Sequence, residues 1–171
     1  MFFEKYALTT GNLPEPKFRR VATTAPWNEM EAGLYNDGLV TVFDQEYDDS
    51  FLQSWSWLIG NNVILVGATC WGDFFYIDMN DYHFYIVLAD QDEKVLMGNS
   101  FVSVFDKNLA VEKFQKAILR PEVFDSFKQE FGSLEYGELY MTNVKGVRSK
   151  RNLSVTLAAI GKTEGGNILL F

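Results

Sequence analysis

One cysteine and one histidine in 171 residues remove several chemistries at once. Cys70 has no second thiol to pair with, so no disulfide framework forms within the chain, which fits a reducing cytoplasm. A lone His83 with a lone Cys70 does not supply the donor set of an ordinary zinc site. His83 lies in a strand-like run between Tyr82 and Phe84 and reads as a structural histidine, and Cys70, in an apolar run beside Trp71, reads as a buried, inert thiol. Glycine-rich phosphate loops of the G-x-G-x-x-G or G-x-x-x-x-G-K kind do not occur, nor does a G-x-S-x-G elbow. No apolar run approaches the ~18 residues of a membrane-spanning helix. The start, Met1-Phe2-Phe3-Glu4-Lys5-Tyr6, lacks the basic end and long apolar stretch of a signal peptide. A cytoplasmic protein is the expectation.

The most informative scarcity is that of positive charge. Between Arg20 and Lys94 there is no Lys and no Arg, while the same stretch carries thirteen Asp and Glu. The first 106 residues hold a net −11 and the remainder +3, for −8 overall. Phosphate backbones and anionic lipid surfaces repel such a chain, so neither nucleic acid nor membrane is an expected ligand. Two readings of the asymmetry stand: plain solubility, or a negative face that speeds association with a basic partner. Screening limits each charge to about 8–10 Å at physiological salt, so the second requires the acids to gather in space.

What the chain has in quantity is aromatic and apolar residues, 16% and 47%, which exclude disorder and coiled coil and suffice for one buried core. Residues 1–32, broken by Pro14, Pro16 and Pro26, read as an irregular arm; 33–171 read as one α+β domain. Gly33 to Phe43 reads as a hairpin turning at Asn36-Asp37-Gly38. Phe51, Leu52, Trp55, Leu58 and Ile59 form one helical stripe, with Asp48, Asp49 and Ser50 as candidate N-caps. Strands follow over 63–66, 74–77, 82–88 and 95–97, separated by the turns Asp78-Met79-Asn80-Asp81 and Asp90-Gln91-Asp92, an antiparallel meander. Helices are expected over 101–119 and 121–131, the second opening on Pro121. Residues 152–160 alternate like a strand at Leu153 to Leu157 but end in the helix-favouring Ala158-Ala159-Ile160, leaving both forms open. The expected core is Phe51, Trp55, Leu58, Val63, Leu65, Phe75, Ile77, Phe84, Ile86, Leu88, Phe105, Phe114, Phe124 and Phe127.

Three acid pairs are candidate sites of chemistry: Asp48 with Asp49, Asp78 with Asp81, and Asp90 with Asp92. Each falls at a turn or helix start, where Asp is favoured for local hydrogen bonds, and the calcium-loop pattern D-x-[DN]-x-[DN]-G does not occur. The functional alternatives are contact with a partner, or a cation-dependent hydrolase site using Asp48, Asp49 or Asp73. A third is an adaptor module with an aromatic pocket lined by Trp55, Trp57 and Trp71.

Several segments occur in a telling order: Asp37-Gly38-Leu39-Val40, Asp44-Gln45-Glu46-Tyr47, and Ala68-Thr69-Cys70-Trp71-Gly72-Asp73-Phe74-Phe75-Tyr76. They continue with Phe101-x-x-x-Phe105, Phe124-x-x-Phe127-x-x-x-Phe131-Gly132-x-Leu134 and Tyr136-Gly137-Glu138-Leu139-Tyr140. In this the chain resembles, over residues 33–160, the DUF1851 family, typified by the C-terminal domain of immunity proteins against type VI secretion DNase toxins. That domain often follows a GAD-like segment, for which the arm here is short, and its architecture is placed near the SMI1/KNR4-like immunity proteins. Where family members tend to have Phe-Gly-Asp, this chain has Trp71-Gly72-Asp73. With acids at turns and one histidine as the titratable candidates, a non-catalytic binding protein without cofactor or metal, a monomer or weak homo-oligomer, is expected; the resemblance implies one that neutralises a cognate toxin with a basic surface. Joined to the charge pattern, it makes Asp48, Asp49, Asp78, Asp81, Asp90 and Asp92 the expected contact residues.

Overall fold

The computed structural model describes residues 5–9 and 31–161. Six strands form one antiparallel sheet in sequence order: β1 (Gly33–Tyr35), β2 (Val40–Val42), β3 (Val63–Thr69), β4 (Phe74–Asp78), β5 (His83–Leu88) and β6 (Glu93–Gly98). This is the expected meander, and the acidic turns are what reverse the chain. Asp78 accepts from the Asn80 backbone N–H (2.9 Å), and Tyr82 and Asp92 take the positive φ that the tight reversals require. The first turn, Asn36–Gly38, is a single 3-10 turn with Asn36 and Asp37 also at positive φ. A bulge between Leu65 and Gly67 bends β3, and Gly67 is there because a Cβ would collide with the Thr41 carbonyl oxygen and the Phe75 ring.

Both faces of the sheet are covered, so β3 to β5 are apolar on both sides, as the continuous run at Val63 to Val66 suggested. On one face lie α2 (Phe101–Val104) and α3 (Glu112–Phe114), each widening into a π-helical stretch (Phe105–Leu109 and Gln115–Leu119), and then α4 (Pro121–Phe131). They bury Phe75, Ile77, Phe84, Ile86, Phe105, Leu109, Phe124 and Phe127 together. On the other face a 3-10 helix (Ser50–Trp55) running into α1 (Ser56–Ile59) packs with α5 (Leu153–Gly161) over Leu65, Phe74, Tyr76 and Val87. Trp55 is fully buried there, its Nε1–H donating to the Leu157 carbonyl (2.9 Å). A ring of this kind hides ~150–250 Å², roughly 4–6 kcal/mol at about 25 cal/mol/Å² before entropy is counted.

Three of the expected core residues are only partly buried: Leu58, Val63 at the start of β3, and Phe114. The open question at 152–160 resolves as helix, because Leu153, Thr156, Leu157 and Gly161 turn one face to the core at helical spacing. Gly161 admits the Trp55 ring, which a Cβ there would strike. A separate hairpin of β7 (Glu138–Thr142) and β8 (Arg148–Asn152) precedes α5 and was not expected from the sequence. It joins the body where the Tyr140 N–H donates to the Cys70 carbonyl (2.8 Å).

Most of the arm at 1–32 lies outside the described residues, as does the end of the chain beyond 161. Residues 5–9 run along β1: Leu8 bridges Tyr35, the Thr9 N–H donates to Leu34 (2.7 Å), and the Asn36 N–H to Ala7 (2.8 Å).

Candidate interaction surface

The β-sheet register sorts the acids by location. Asp78 and His83 face each other at one end of β4 and β5, so the turn carrying Asp78 and Asp81 caps that end. Leu88 and Glu93 face each other at the opposite end, so the turn carrying Asp90 and Asp92 caps the other. β5 is six residues long, about 17–20 Å, roughly two screening lengths. The two turns are therefore separate centres of negative charge. Asp48 and Asp49 form a third group at the start of the 3-10 helix.

Local bonding occupies several of these carboxylates. Asp78 Oδ1 also accepts from Asn80 Nδ2 (2.8 Å). Asp81 accepts from the His83 backbone N–H (2.8 Å) and from the Tyr85 hydroxyl (2.7 Å). The Tyr85 hydroxyl and the His83 N–H hold the Asp81 carboxyl below the usual carboxylate range, so it is charged at neutral pH. Asp48 accepts from the Ser50 N–H (3.0 Å), and the Ser50 side chain and backbone hold its carboxyl down in the same way. Asp49 contributes its carbonyl to Leu52 (2.9 Å). Asp90 is exposed and Asp92 half-buried.

Asp73 is different. It lies buried in the turn between β3 and β4, where its Oδ1 accepts the Ala89 N–H (3.0 Å). Burial, ahead of every other influence, pushes its carboxyl up to about 6, with Asp90 adding to the rise and the Ala89 N–H opposing it. The carboxyl thus ties the entrance of the β5–β6 turn to the neighbouring turn. Beside it, burial holds the Cys70 thiol well above its ordinary range. Arg120, in the left-handed conformation, stacks its guanidinium over the half-buried Trp71 at 4.6 Å.

The structure also fixes where the remaining sequence candidates lie among the described residues. Cys70 belongs to the β3–β4 turn and His83 to the opposite end of the sheet, so they form no nucleophile–base pair. His83 Nδ1 lies 2.9 Å from the Asp81 carbonyl. Among the described residues no three His, Cys, Asp or Glu side chains stand close enough to share a cation. Nor do the tryptophans line one pocket. Trp55 and Trp71 pack on opposite faces of the sheet, and each donates its Nε1–H to a backbone carbonyl, of Leu157 and Leu119. Trp57 does the same toward Gly161 (3.0 Å). One open depression, on the helical side, is lined by Glu112, Lys113, Lys116 and Ala117 and by no aromatic ring.

The feature that sequence reasoning passed over is the outer edge of β6. Val95-Leu96-Met97 reads correctly as a last strand, but a pattern of residues does not say whether a last strand is covered. Glu93 to Leu96 are all exposed, Leu96 at 56% and Val95 at 39%.

No helix among the described residues is long and apolar enough to cross a membrane. No family model matches the chain. No curated protein matches it. Among solved structures, the crystal structure of Atu4351 from Agrobacterium tumefaciens is similar over 95% of this chain and 87% of that one, with a TM-score of 0.62 and 13% identity. Likeness at that identity establishes a shared fold and says nothing of activity.

Proposed function

We propose that this chain is a non-catalytic immunity protein that binds and neutralises a cognate bacterial toxin, a nuclease effector of a type VI secretion system with a basic surface. The observation that carries the reading is the charge of the sheet. β1 to β5 and the turns between them contain no Lys or Arg, and the acids of that stretch sit mainly at turns, where side chains reach solvent. A nuclease needs a basic cleft because its substrate is a polyanion. A protein that covers such a cleft gains association rate and selectivity from a matching negative surface. Asp48, Asp49, Asp78, Asp81, Asp90 and Asp92 are the contact residues of this proposal, in three groups that meet separate parts of the partner.

The test is co-expression with the product of the adjacent reading frame, scoring rescue from toxicity and co-purification. Rescue with a stable complex is expected. Association should slow about tenfold or more between low and physiological salt, and again when the Asp pairs become Asn. A toxic neighbour that this chain neither binds nor neutralises overturns the proposal.

A further inference from the structure

Of the two acidic turns that the fold separates, one leads into the edge strand β6 and the other lies one strand inward of its far end. β6 is the terminal strand of the sheet, and among the described residues none pairs with its outer side along Glu93 to Leu96; only the Met97 carbonyl is taken, by Asn108 Nδ2 (2.9 Å). At its start stand Asp90, Asp92 and Glu93. At its finish Gly98 faces Phe84, next to the turn of Asp78 and Asp81. Between these ends the edge offers Val95 on one face and Leu96 on the other, Leu96 lying opposite Tyr85, whose hydroxyl is held by Asp81. Lys94 is the one cation of the strand, and its Nζ stands 5.5 Å from the centre of the Tyr85 ring.

From this we infer that the β6 edge is a strand-addition site for an extended segment of the partner, apolar in its middle and basic at both ends. The inference rests on the proposed toxin-binding reading and deepens it. An open edge supplies backbone hydrogen bonds to any added strand, and the apolar pair on its two faces fixes which way that strand lies. Charge then selects the occupant. A second copy of this chain, docked antiparallel, brings its own acids against the acids at both ends of the edge, in a molecule already at −8. A strand with Lys or Arg at each end meets an acidic turn at each end, about 17–20 Å apart, the length of six residues.

The experiment uses the complex with the product of the adjacent reading frame. Amide hydrogen exchange on free and bound protein should show at least tenfold slower exchange over residues 93–97 in the complex. Leu96→Glu separates strand addition from simple charge attraction: it adds negative charge yet removes the apolar anchor at an exposed position that folding does not need. Strand addition requires binding to weaken at least tenfold, whereas attraction alone makes it as tight or tighter. A complex in which 93–97 exchange as in the free protein, or in which Leu96→Glu binds undiminished, overturns the inference and leaves the immunity reading standing. Protection of 93–97 in the free protein together with a dimeric mass in sedimentation also overturns it, by giving the edge to a second copy. If no complex forms, the immunity reading fails and this inference fails with it.

Discussion

Along β1 the sheet is closed by its own chain, and along β6, among the described residues, it is not. At the β1 edge, residues 5–9 add a run of backbone hydrogen bonds, and Tyr6 is buried with its hydroxyl donating to the Leu109 carbonyl (2.7 Å). That carbonyl belongs to a π-helical stretch, and Gln115 Nε2 serves both it (3.3 Å) and the Tyr6 hydroxyl (3.1 Å). Lys128 from α4 pairs with Asp37 in the first turn, and Thr9 bonds the same carboxylate (3.3 Å). At β6 the corresponding positions face solvent. A strand edge left open carries some risk of unwanted association, and here acids stand near its ends while no described segment pairs with it. Among the described residues, one edge is closed by backbone and side-chain bonds and the other is not.

Removing what closes β1 should therefore have the largest effect on folding. Tyr6→Ala leaves a cavity under the arm and strips a bond from the π-helical carbonyl; by the usual cost of deleting a buried aromatic ring it should lose roughly 3–5 kcal/mol. Urea denaturation reads this directly, as a lower midpoint at unchanged slope. Tyr6→Phe, which keeps the ring, should cost about 1 kcal/mol. A loss below 1 kcal/mol for Tyr6→Ala would remove the contrast between the edges.

The turn that leads into β6 is held differently, by the buried carboxyl of Asp73, and pH should distinguish it. With a folded pKa of about 6 and an unfolded one near 3.9, the folded state binds the extra proton between those values. Its contribution is most favourable below pH 4, declines as pH rises toward 6, and is fully lost above that. At 1.36 kcal/mol per pKa unit the decline is of order 2–3 kcal/mol. Asp73→Asn keeps an acceptor for the Ala89 N–H without the charge, so it should stabilise the protein by about 1–3 kcal/mol at pH 7.5 and hardly at all at pH 4. Asp37, Asp48, Asp81 and Glu112 are all held low and slope the other way in acid, so the difference between variant and parent is the quantity to follow. An equal effect at both pH values would mean that Asp73 is not the group that titrates.

Smaller again is the ion pair that pins the first turn to α4. Asp37 and Lys128 are each more than a third exposed, so water screens them, and Asp37→Asn should cost no more than about 1 kcal/mol. Asn accepts the positive φ of 59° at this position as readily as Asp, which separates the lost charge from backbone strain. A greater loss, measured in the same denaturation series, would show the β1 edge to depend on charge as much as on Tyr6.

How much of this was legible before the structure follows from which forces leave a trace in sequence. β3 to β6 were legible because apolar strands alternate with Asp- and Asn-bearing turns, a pattern set by local chemistry. α4 was legible from Pro121, the spacing of Phe124, Phe127 and Phe131, and Gly132 at its end. β8, by contrast, reads Arg148-Ser149-Lys150-Arg151-Asn152 without one apolar side chain. It is held by backbone pairing and by stems such as Arg148, whose guanidinium lies 4.6 Å over the Phe127 ring, and neither leaves a period to detect. α5 was ambiguous because its alternation is real in sequence, and contact with Trp55 decides it. At the candidate surface the individual turn acids were readable, but which end of the sheet each occupies depends on register, and the open edge on what fails to cover it.

The smallest expected change in stability is at β6 itself, and its smallness is what makes the comparison usable. Val95 and Leu96 both lie at the surface, Leu96 more than half exposed, so Val95→Thr or Leu96→Glu should shift stability by no more than about 0.5 kcal/mol, the ordinary range for surface positions. The same two substitutions should weaken the complex at least tenfold. A residue that folding ignores and binding requires belongs to the interface and not to the scaffold, whereas Tyr6 should show the reverse, a large loss of stability and an unchanged affinity in the fraction that remains folded. If Leu96→Glu instead destabilises the free protein by 2 kcal/mol or more, the β6 edge is covered in solution, and the open and closed edges are no longer different in kind.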